Sequence, residues 1–370
     1  MSFPLTGVTV LDLTRLLPGA FATLMLAELG AEVIKIEDPR GGDPMRHMPP
    51  ILNGRGLYDL LLNRGKKSVA LDLRQPEARA AFDHLASRAD VVVESFRPAT
   101  AQRLGVSADV VRTRHPRVIH CSITGYGQTG PYAERPGHDL NYVSVSGLLA
   151  ADRPGVADLP RMFLADVGGG AMSAVIGILA ALVGRGRTGE GQSIDVSMHE
   201  AALYWVMLPA ARELVEGGTA AVGELPTFGR HASYNIYQTR DGERVALGAL
   251  EPKFWRAFCQ AVGRDELAGR HDSPPDDQQA LIQTTREIFA TRTRDEWLAF
   301  LEGHDVCVTP VNSPAAGLAD PHITARQAVQ SAPGLRFVRP PFVSMTPTLE
   351  PAPEVGQHTA EILARTASRP

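Results

Sequence analysis

Two short stretches of this sequence carry side chains suited to moving a proton. The first runs Gly125-Tyr126-Gly127-Gln128-Thr129-Gly130-Pro131 and continues at Gly137-His138-Asp139-Leu140-Asn141-Tyr142. His138 sits beside a carboxylate in a Gly/Pro-dense loop that follows a strand-like run. An imidazole with an ordinary pKa of about 6.5 can accept a proton and, once charged, return it. A histidine in isolation reads as readily as a core or surface residue; the loop setting is what singles out this one. The second stretch is Phe163-Leu164-Ala165-Asp166-Val167-Gly168-Gly169-Gly170, running into a helix-like segment. Asp166 there has two readings, as an N-cap accepting backbone N–H bonds or as a proton carrier. Three glycines exceed what a cap requires. Bare amides at Gly168–Gly170 on a positive helix end would cradle a carboxylate or an enolate.

Basic residues form a third set. Asn63-Arg64-Gly65-Lys66-Lys67 precedes a strand, and Phe96-Arg97-Pro98 with Arg103 follows one. Each alone is a solvated turn; brought together they would grip phosphates. Glu251-Pro252 stands at a strand-to-helix junction, an N-cap position by default.

The elements that must position these groups alternate in type. Val8–Leu13, Glu32–Ile36, Ser68–Leu73, Val91–Glu94 and Val118–Ser122 read as strands, separated by helical segments such as Ala20–Leu29 and Pro76–Ala89. This order predicts βαβ units and a largely parallel sheet, an α/β fold that binds ligands beyond the C-terminal ends of its strands. No GxGxxG follows the first strand and no Walker A run is present, so neither NAD nor ATP is indicated. Ala171–Val183 predicts a buried helix and Val196–Glu213 a second one. Tyr234–Gln238 and Arg244–Leu247 flank Asp241-Gly242, a hairpin signal; helices are expected at Pro252–Val262, Gln278–Ala290 and Thr293–His304. The expected organisation is a large domain over 1–215, a linker rich in Gly, Thr and Pro over 216–228, a small α+β domain over 229–325, and a Pro-rich arm over 326–370 that packs back on the body.

Composition narrows the function further. With 370 residues and a net charge of -4 the chain lacks the basic excess of a nucleic-acid protein. Cys121, Cys259 and Cys307 are far apart, which fits a reduced cytoplasmic protein without disulfides or a zinc site. The longest apolar run, Ala174–Val183, is short of a membrane span and no signal-like N-terminus is seen, so no membrane partner is expected.

Taken in order, several segments resemble the family III CoA-transferase (CaiB/BaiF) and α-methylacyl-CoA racemase superfamily. They are Leu5–Leu13 with Pro18-Gly19, Leu29–Glu37, Asn63–Ser68 with Leu71-Asp72-Leu73, Glu94–Pro98, Gly125–Pro131, Thr188–Gln192 with Asp195–Met198, and Cys307–Val311. The resemblance implies a Rossmann-like large domain, a small domain, and two chains threaded through each other as an interlocked homodimer whose site lies between one large domain and the partner's small domain. It implies an acyl-CoA substrate, with CoA belonging to the substrate and no other cofactor or metal. Arg40, Leu71, Arg74 and Ser95 would contact the CoA moiety, together with Phe96, Arg97, Arg103 and Tyr126. Both subgroups use an aspartate where Asp166 stands. The racemases add a histidine in a Gly-His-Asp-hydrophobic-Asn-Tyr motif, matched by Gly137–Tyr142, and a paired glutamate, matched by Glu251. The resemblance therefore favours a racemase acting through His138, Asp166 and Glu251; the alternative is acyl-CoA:carboxylate CoA transfer with Asp166 as nucleophile. One departure stands out. Racemases often carry Arg directly after the acidic residue closing the Leu29–Glu37 segment, and this chain has Asp38, with Arg40 two residues on.

Overall fold

A computed structural model describes residues 3–149, 162–217, 229–332, 334–342 and 347–367. Packing divides the chain into two compact units: Met1–Leu148, Asp158–Val206 and Ala325–Pro370 form the first, Leu149–Ala157 and Met207–Thr324 the second. Most of the predicted linker, residues 218–228, lies outside the described residues.

The first unit is built on six strands, β1 (Thr9–Leu13), β2 (Glu32–Glu37), β3 (Lys67–Ala70), β4 (Val91–Glu94), β5 (Ile119–Thr124) and β6 (Ser193–Ser197). They pair in the order β3-β2-β1-β4-β5-β6, every pairing parallel. β1 and β4 are buried on both faces and mostly apolar, with Val10, Leu11 and Val91–Val93 fully buried; Asp12 and Glu94 are the carboxyls among them. The strand order reverses between β1 and β4, and a sheet of this kind opens its ligand crevice at that point, outside the carboxyl ends of the strands.

Helices α1 (Leu16–Glu28), α2 (Pro76–Ala86), α3 (Pro98–Leu104) and α4 (Asp139–Val145) connect the strands. The helix predicted from Ala171 is longer than its apolar run. A π-helical segment, Leu164–Ala171, leads directly into α5 (Met172–Thr188). Together they make 25 residues long and apolar enough to cross a membrane by length and composition. Here Ala165, Gly169, Gly170, Ala171, Ala174, Val175, Ile178 and Ala181 are buried, so one side of this helix belongs to the core of the unit. The single helix predicted over Val196–Glu213 is instead α6 (Met198–Val206) and a separate Ala211–Glu216. The C-terminal segment is more ordered than its prolines suggest: it forms a hairpin, Val329–Ala332 with Leu335–Val338, and a helix, Thr359–Ala367, whose Ile362 joins the core of Leu11, Ile36 and Phe82.

The second unit has three antiparallel strands, β7 (Tyr234–Gln238), β8 (Arg244–Gly248) and β9 (Val308–Pro310), with β8 central. The Asp241-Gly242 hairpin is present as predicted, Gly242 supplying a φ of +80° at the turn. Helices Pro252–Ala261, Pro275–Phe289 and Arg294–Leu301 pack an aromatic core in which the Phe258 and Phe289 rings stack at 5.3 Å.

Candidate active site

A cleft of about 260 Å³ lies at the switch point of the first unit. Each strand that ends there contributes residues at or beyond its end: Leu13 closing β1 with Thr14 and Arg15 after it, Asp38 and Arg40 after β2, Leu71 and Arg74 after β3, Phe96 and Arg103 after β4. Of the residues assigned to CoA from the sequence, Arg40, Leu71, Arg74, Phe96 and Arg103 line this cleft. Ser95 does not line it; its Oγ accepts the N–H of the lining residue Arg15 at 2.9 Å. Arg97 is the N-cap of α3 and exposed. Tyr126 is elsewhere, its ring edge-on to Tyr142 at 5.2 Å and to Tyr132 at 5.5 Å. At the mouth, Asp38 holds Arg40 through two side-chain bonds of 3.0 and 2.7 Å, and Asp72 holds Arg74 in the same way. Two of the cleft's guanidinium groups are thus oriented by carboxylates.

The Asn63–Lys67 run does not join this grip. Lys66 is fully buried and bonds Asp12 at 3.0 Å, Thr23, Asn63 and the Ala20 carbonyl; Arg64 is buried against Glu28 and the Leu61 carbonyl. These cations serve the core. Their effect on the cleft is indirect, through a buried network. Asp12 accepts from Thr14 N–H at 2.9 Å and Thr14 Oγ1 at 2.6 Å. Lys35 donates to the Thr14 carbonyl at 2.9 Å and pairs with Asp43 at 3.1 Å. Asp43 accepts the N–H of Leu16, a non-glycine residue at φ +62°. Such a backbone is costly and persists where its surroundings dictate it. The turn that presents Thr14 and Arg15 is held from below. Thr14, Arg15, Lys35 and Asp43 were not singled out from the sequence, although Thr14 and Arg15 fall just past the end of β1.

The candidate residues His138 and Asp166 both follow β5 in the chain. His138 is the N-cap of α4, exposed, with its backbone N–H on Asn141 Oδ1 at 3.0 Å. Its neighbour Asp139 reaches across to the other motif: Asp139 Oδ1 accepts the N–H of Ala165 at 2.7 Å and that of Asp166 at 2.9 Å. The loop carrying His138 is thereby tied to the segment carrying Asp166. Tyr142 completes the junction. A Cβ at Gly125 or Gly137 would lie 2.5 or 2.7 Å from its ring, so glycine at both positions lets the two loops close on it.

Asp166 is not an N-cap; it lies in the first turn of the π-helix, whose N-cap is Phe163. π-helical turns recur at functional sites because they redirect a side chain within a continuous helix. Burial, and then the adjacent Asp139 carboxylate, push the Asp166 carboxyl up to about 7. A group near 7 exists in both protonation states at neutral pH, as a residue that alternately gives and takes a proton requires. The expected cradle of free amides at Gly168–Gly170 is not found. The Gly168 N–H bonds the Phe163 carbonyl at 3.4 Å, and all three glycines lie within the π-helix. Their smallness serves packing instead: a Cβ on Gly168 would sit 2.1 Å from the Trp205 ring, and one on Gly170 2.7 Å from Met198 Cγ. Gly168→Ala is therefore expected to lower stability by about 1–3 kcal/mol in a urea titration, by forcing Trp205 off the π-helix.

Glu251 belongs to the second unit. It is exposed, the N-cap of helix Pro252–Ala261, and its charge raises the pKa of Cys307 alongside, a shift led by burial of that thiol.

A six-stranded doubly wound sheet with a basic cleft at its switch point, and a carboxyl poised near neutrality beside a histidine-bearing loop, defines an enzyme of the α/β class. The profile of CoA-transferase family III matches residues 5–359, and the chain belongs to that family. It is 32% identical to the alpha-methylacyl-CoA racemase of Homo sapiens over 97% of this chain and 92% of that one. It is also 32% identical to the succinyl-CoA:glutarate CoA-transferase of Homo sapiens, over 97% and 85%. Among solved structures, a CAIB/BAIF family protein from Brucella suis superposes with a TM-score of 0.84 at 30% identity, covering 99% of this chain and all of that one.

Proposed function

We propose that this enzyme is a racemase that interconverts the 2R and 2S forms of 2-methylacyl-CoA thioesters by passing the α-proton between His138 and Asp166. The observation that carries the reading is the Asp139 bridge, which ties the His138 loop to the backbone of an aspartate whose pKa is raised to about 7. An α-C–H next to a thioester is weakly acidic, so inversion needs one base on each face of the carbon and an enolate between them. Asp166 in its charged form takes the proton from one face while protonated His138 supplies the other, and the roles reverse for the opposite enantiomer. The CoA moiety occupies the cleft after β1–β4, its phosphates meeting Arg15, Arg40, Arg74 and Arg103. This chemistry calls for no metal or redox group. In our reading two chains interlock as a homodimer, and the partner's Glu251 orients His138. Large apolar side chains left exposed on α5 and α6, among them Ile176, Tyr204 and Trp205, are consistent with such a pairing.

Transfer of CoA between acids is the second reading, supported by the equal identity to a succinyl-CoA:glutarate CoA-transferase. There Asp166 attacks the thioester as nucleophile. The two readings separate in deuterated water. A racemase incorporates α-deuterium into a 2-methylacyl-CoA while losing its optical purity, with no acceptor acid present. A transferase does neither, moves CoA to an added carboxylate, and yields an aspartyl adduct trapped by hydroxylamine. His138→Gln is the sharper probe: proton exchange is expected to fall by about 10²–10⁴-fold, whereas transfer through Asp166 would survive. Unchanged exchange in that variant would remove His138 from the mechanism.

A further inference from the structure

Glu94 is the last residue of β4, on the strand that flanks the switch point, and none of its surface reaches solvent. A carboxyl in such a place needs a reason. Oε2 accepts the N–H of Phe96 at 2.7 Å, while Oε1 has no hydrogen-bond partner. The bond runs from the rigid end of the strand to the loop that enters the cleft. That loop in turn holds Arg15 twice: Ser95 Oγ accepts the Arg15 N–H at 2.9 Å, and the Arg15 guanidinium lies 5.3 Å from the centre of the Phe96 ring. The carboxyl, two loop residues and one cleft arginine thus form a relay from sheet to ligand site.

We propose that Glu94 is a positioning residue for the CoA cleft, fixing residues 95–96 through the Phe96 amide so that Phe96 and Arg15 stand ready for the coenzyme. The inference rests on the reading of this cleft as the CoA site, and it holds for a racemase or a transferase alike. Burial, and more weakly Asp195, push the Glu94 carboxyl up to about 7 against the opposing pull of the Ser122 hydroxyl and the Phe96 amide. A carboxyl raised this far carries less negative charge at neutral pH than an ordinary glutamate, so it holds the loop with less charge beneath a polyanionic ligand. The role thus requires an acceptor oxygen rather than a charge. Glutamine supplies the same acceptor.

The test compares Glu94→Ala with Glu94→Gln in the full-length protein, using free CoA in calorimetry and a 2-methylacyl-CoA in the deuterium assay. Loss of one buried hydrogen bond and the order it imposes is expected to raise the Kd for CoA and the KM about tenfold in Glu94→Ala, with kcat changed by less than about twofold. Glu94→Gln is expected to restore both to within about threefold of the parent. Should Glu94→Ala fail to fold, Ser95→Ala cuts the Arg15 half of the relay from outside the core and is expected to raise Kd several-fold. A Kd unchanged in Glu94→Ala (or in Ser95→Ala), a loss confined to kcat, or a Glu94→Gln variant as weak as Glu94→Ala would each overturn the proposal. Failure of the parent protein to bind CoA at all would instead overturn the assignment of the cleft, and the proposal with it.

Discussion

Asp166→Asn is expected to lose α-proton exchange by a factor of at least about 10³ while melting at a higher temperature than the parent above pH 7. The activity loss follows because an amide can neither take nor deliver the proton. The stability gain follows from linkage. The folded protein holds this carboxyl at about 7, against 3.8 for an unperturbed aspartate. Below the unfolded value both states are protonated and the group contributes nothing. As pH rises from there, the unfolded chain releases the proton first and is favoured, until the folded carboxyl also ionises near 7. The parent therefore gives up stability between about pH 4 and pH 7 on account of this residue, and the asparagine variant does not. Melting curves at pH 5 and pH 8 should show the variant's advantage growing with pH. An equal advantage at both would mean that the carboxyl is not held near neutrality. Asp139→Asn removes the second cause of the shift, so the acid limb of the parent's exchange profile should move to lower pH in that variant.

The second large effect is on folding. Asp12 is fully buried between Lys35 and Lys66; burial opposes its ionisation, and the two ammonium groups overcome this and hold it well below the usual carboxylate range. Asp12→Asn leaves Lys66 without the carboxylate it touches, in a place where burial already lowers its pKa to about 8. Breaking a buried pair from one side costs about 3–5 kcal/mol, enough to bring a protein of ordinary stability close to unfolding at room temperature. Urea titration measures it, and insoluble protein on expression would agree. Replacing both partners, Asp12→Asn with Lys66→Met, is expected to recover a good part of the loss, because no lone charge is then buried. A single variant as stable as the parent would show that the network does not hold the β1–α1 turn.

Much of this was legible from residue order alone. Five of the six strands and the hairpin at Asp241-Gly242 follow from apolar runs and turn residues, since a parallel sheet covered on both faces writes itself as short apolar blocks. His138, Asp166 and the cleft residues Arg40, Leu71, Arg74, Phe96 and Arg103 stood out through motif and resemblance. What stayed hidden depended on direction and depth. Lys66 and Arg64 look like any surface cations until the fold buries them against Asp12 and Glu28. The glycines after Asp166 carry the same letters whether their amides are free or engaged, and only the π-helix decides. Glu94 reads as a polar strand end, while its significance lies in a two-residue reach to the Phe96 amide. The C-terminal helix escaped notice because prolines upstream mask a nine-residue amphipathic segment.

The C-terminal segment has a consequence for how the chain is made. β3 is an edge strand of the sheet, and residues 356–359 lie along it: His358 N–H bonds the Ser68 carbonyl at 2.9 Å, and Thr359 Oγ1 accepts the Ala70 N–H at 2.9 Å. An uncovered strand edge invites pairing with another chain. On the ribosome, β3 has been synthesised for almost 290 residues before its cover arrives. Throughout that interval this flank of the sheet lacks its cover, and it closes only once residues 356–359 are made.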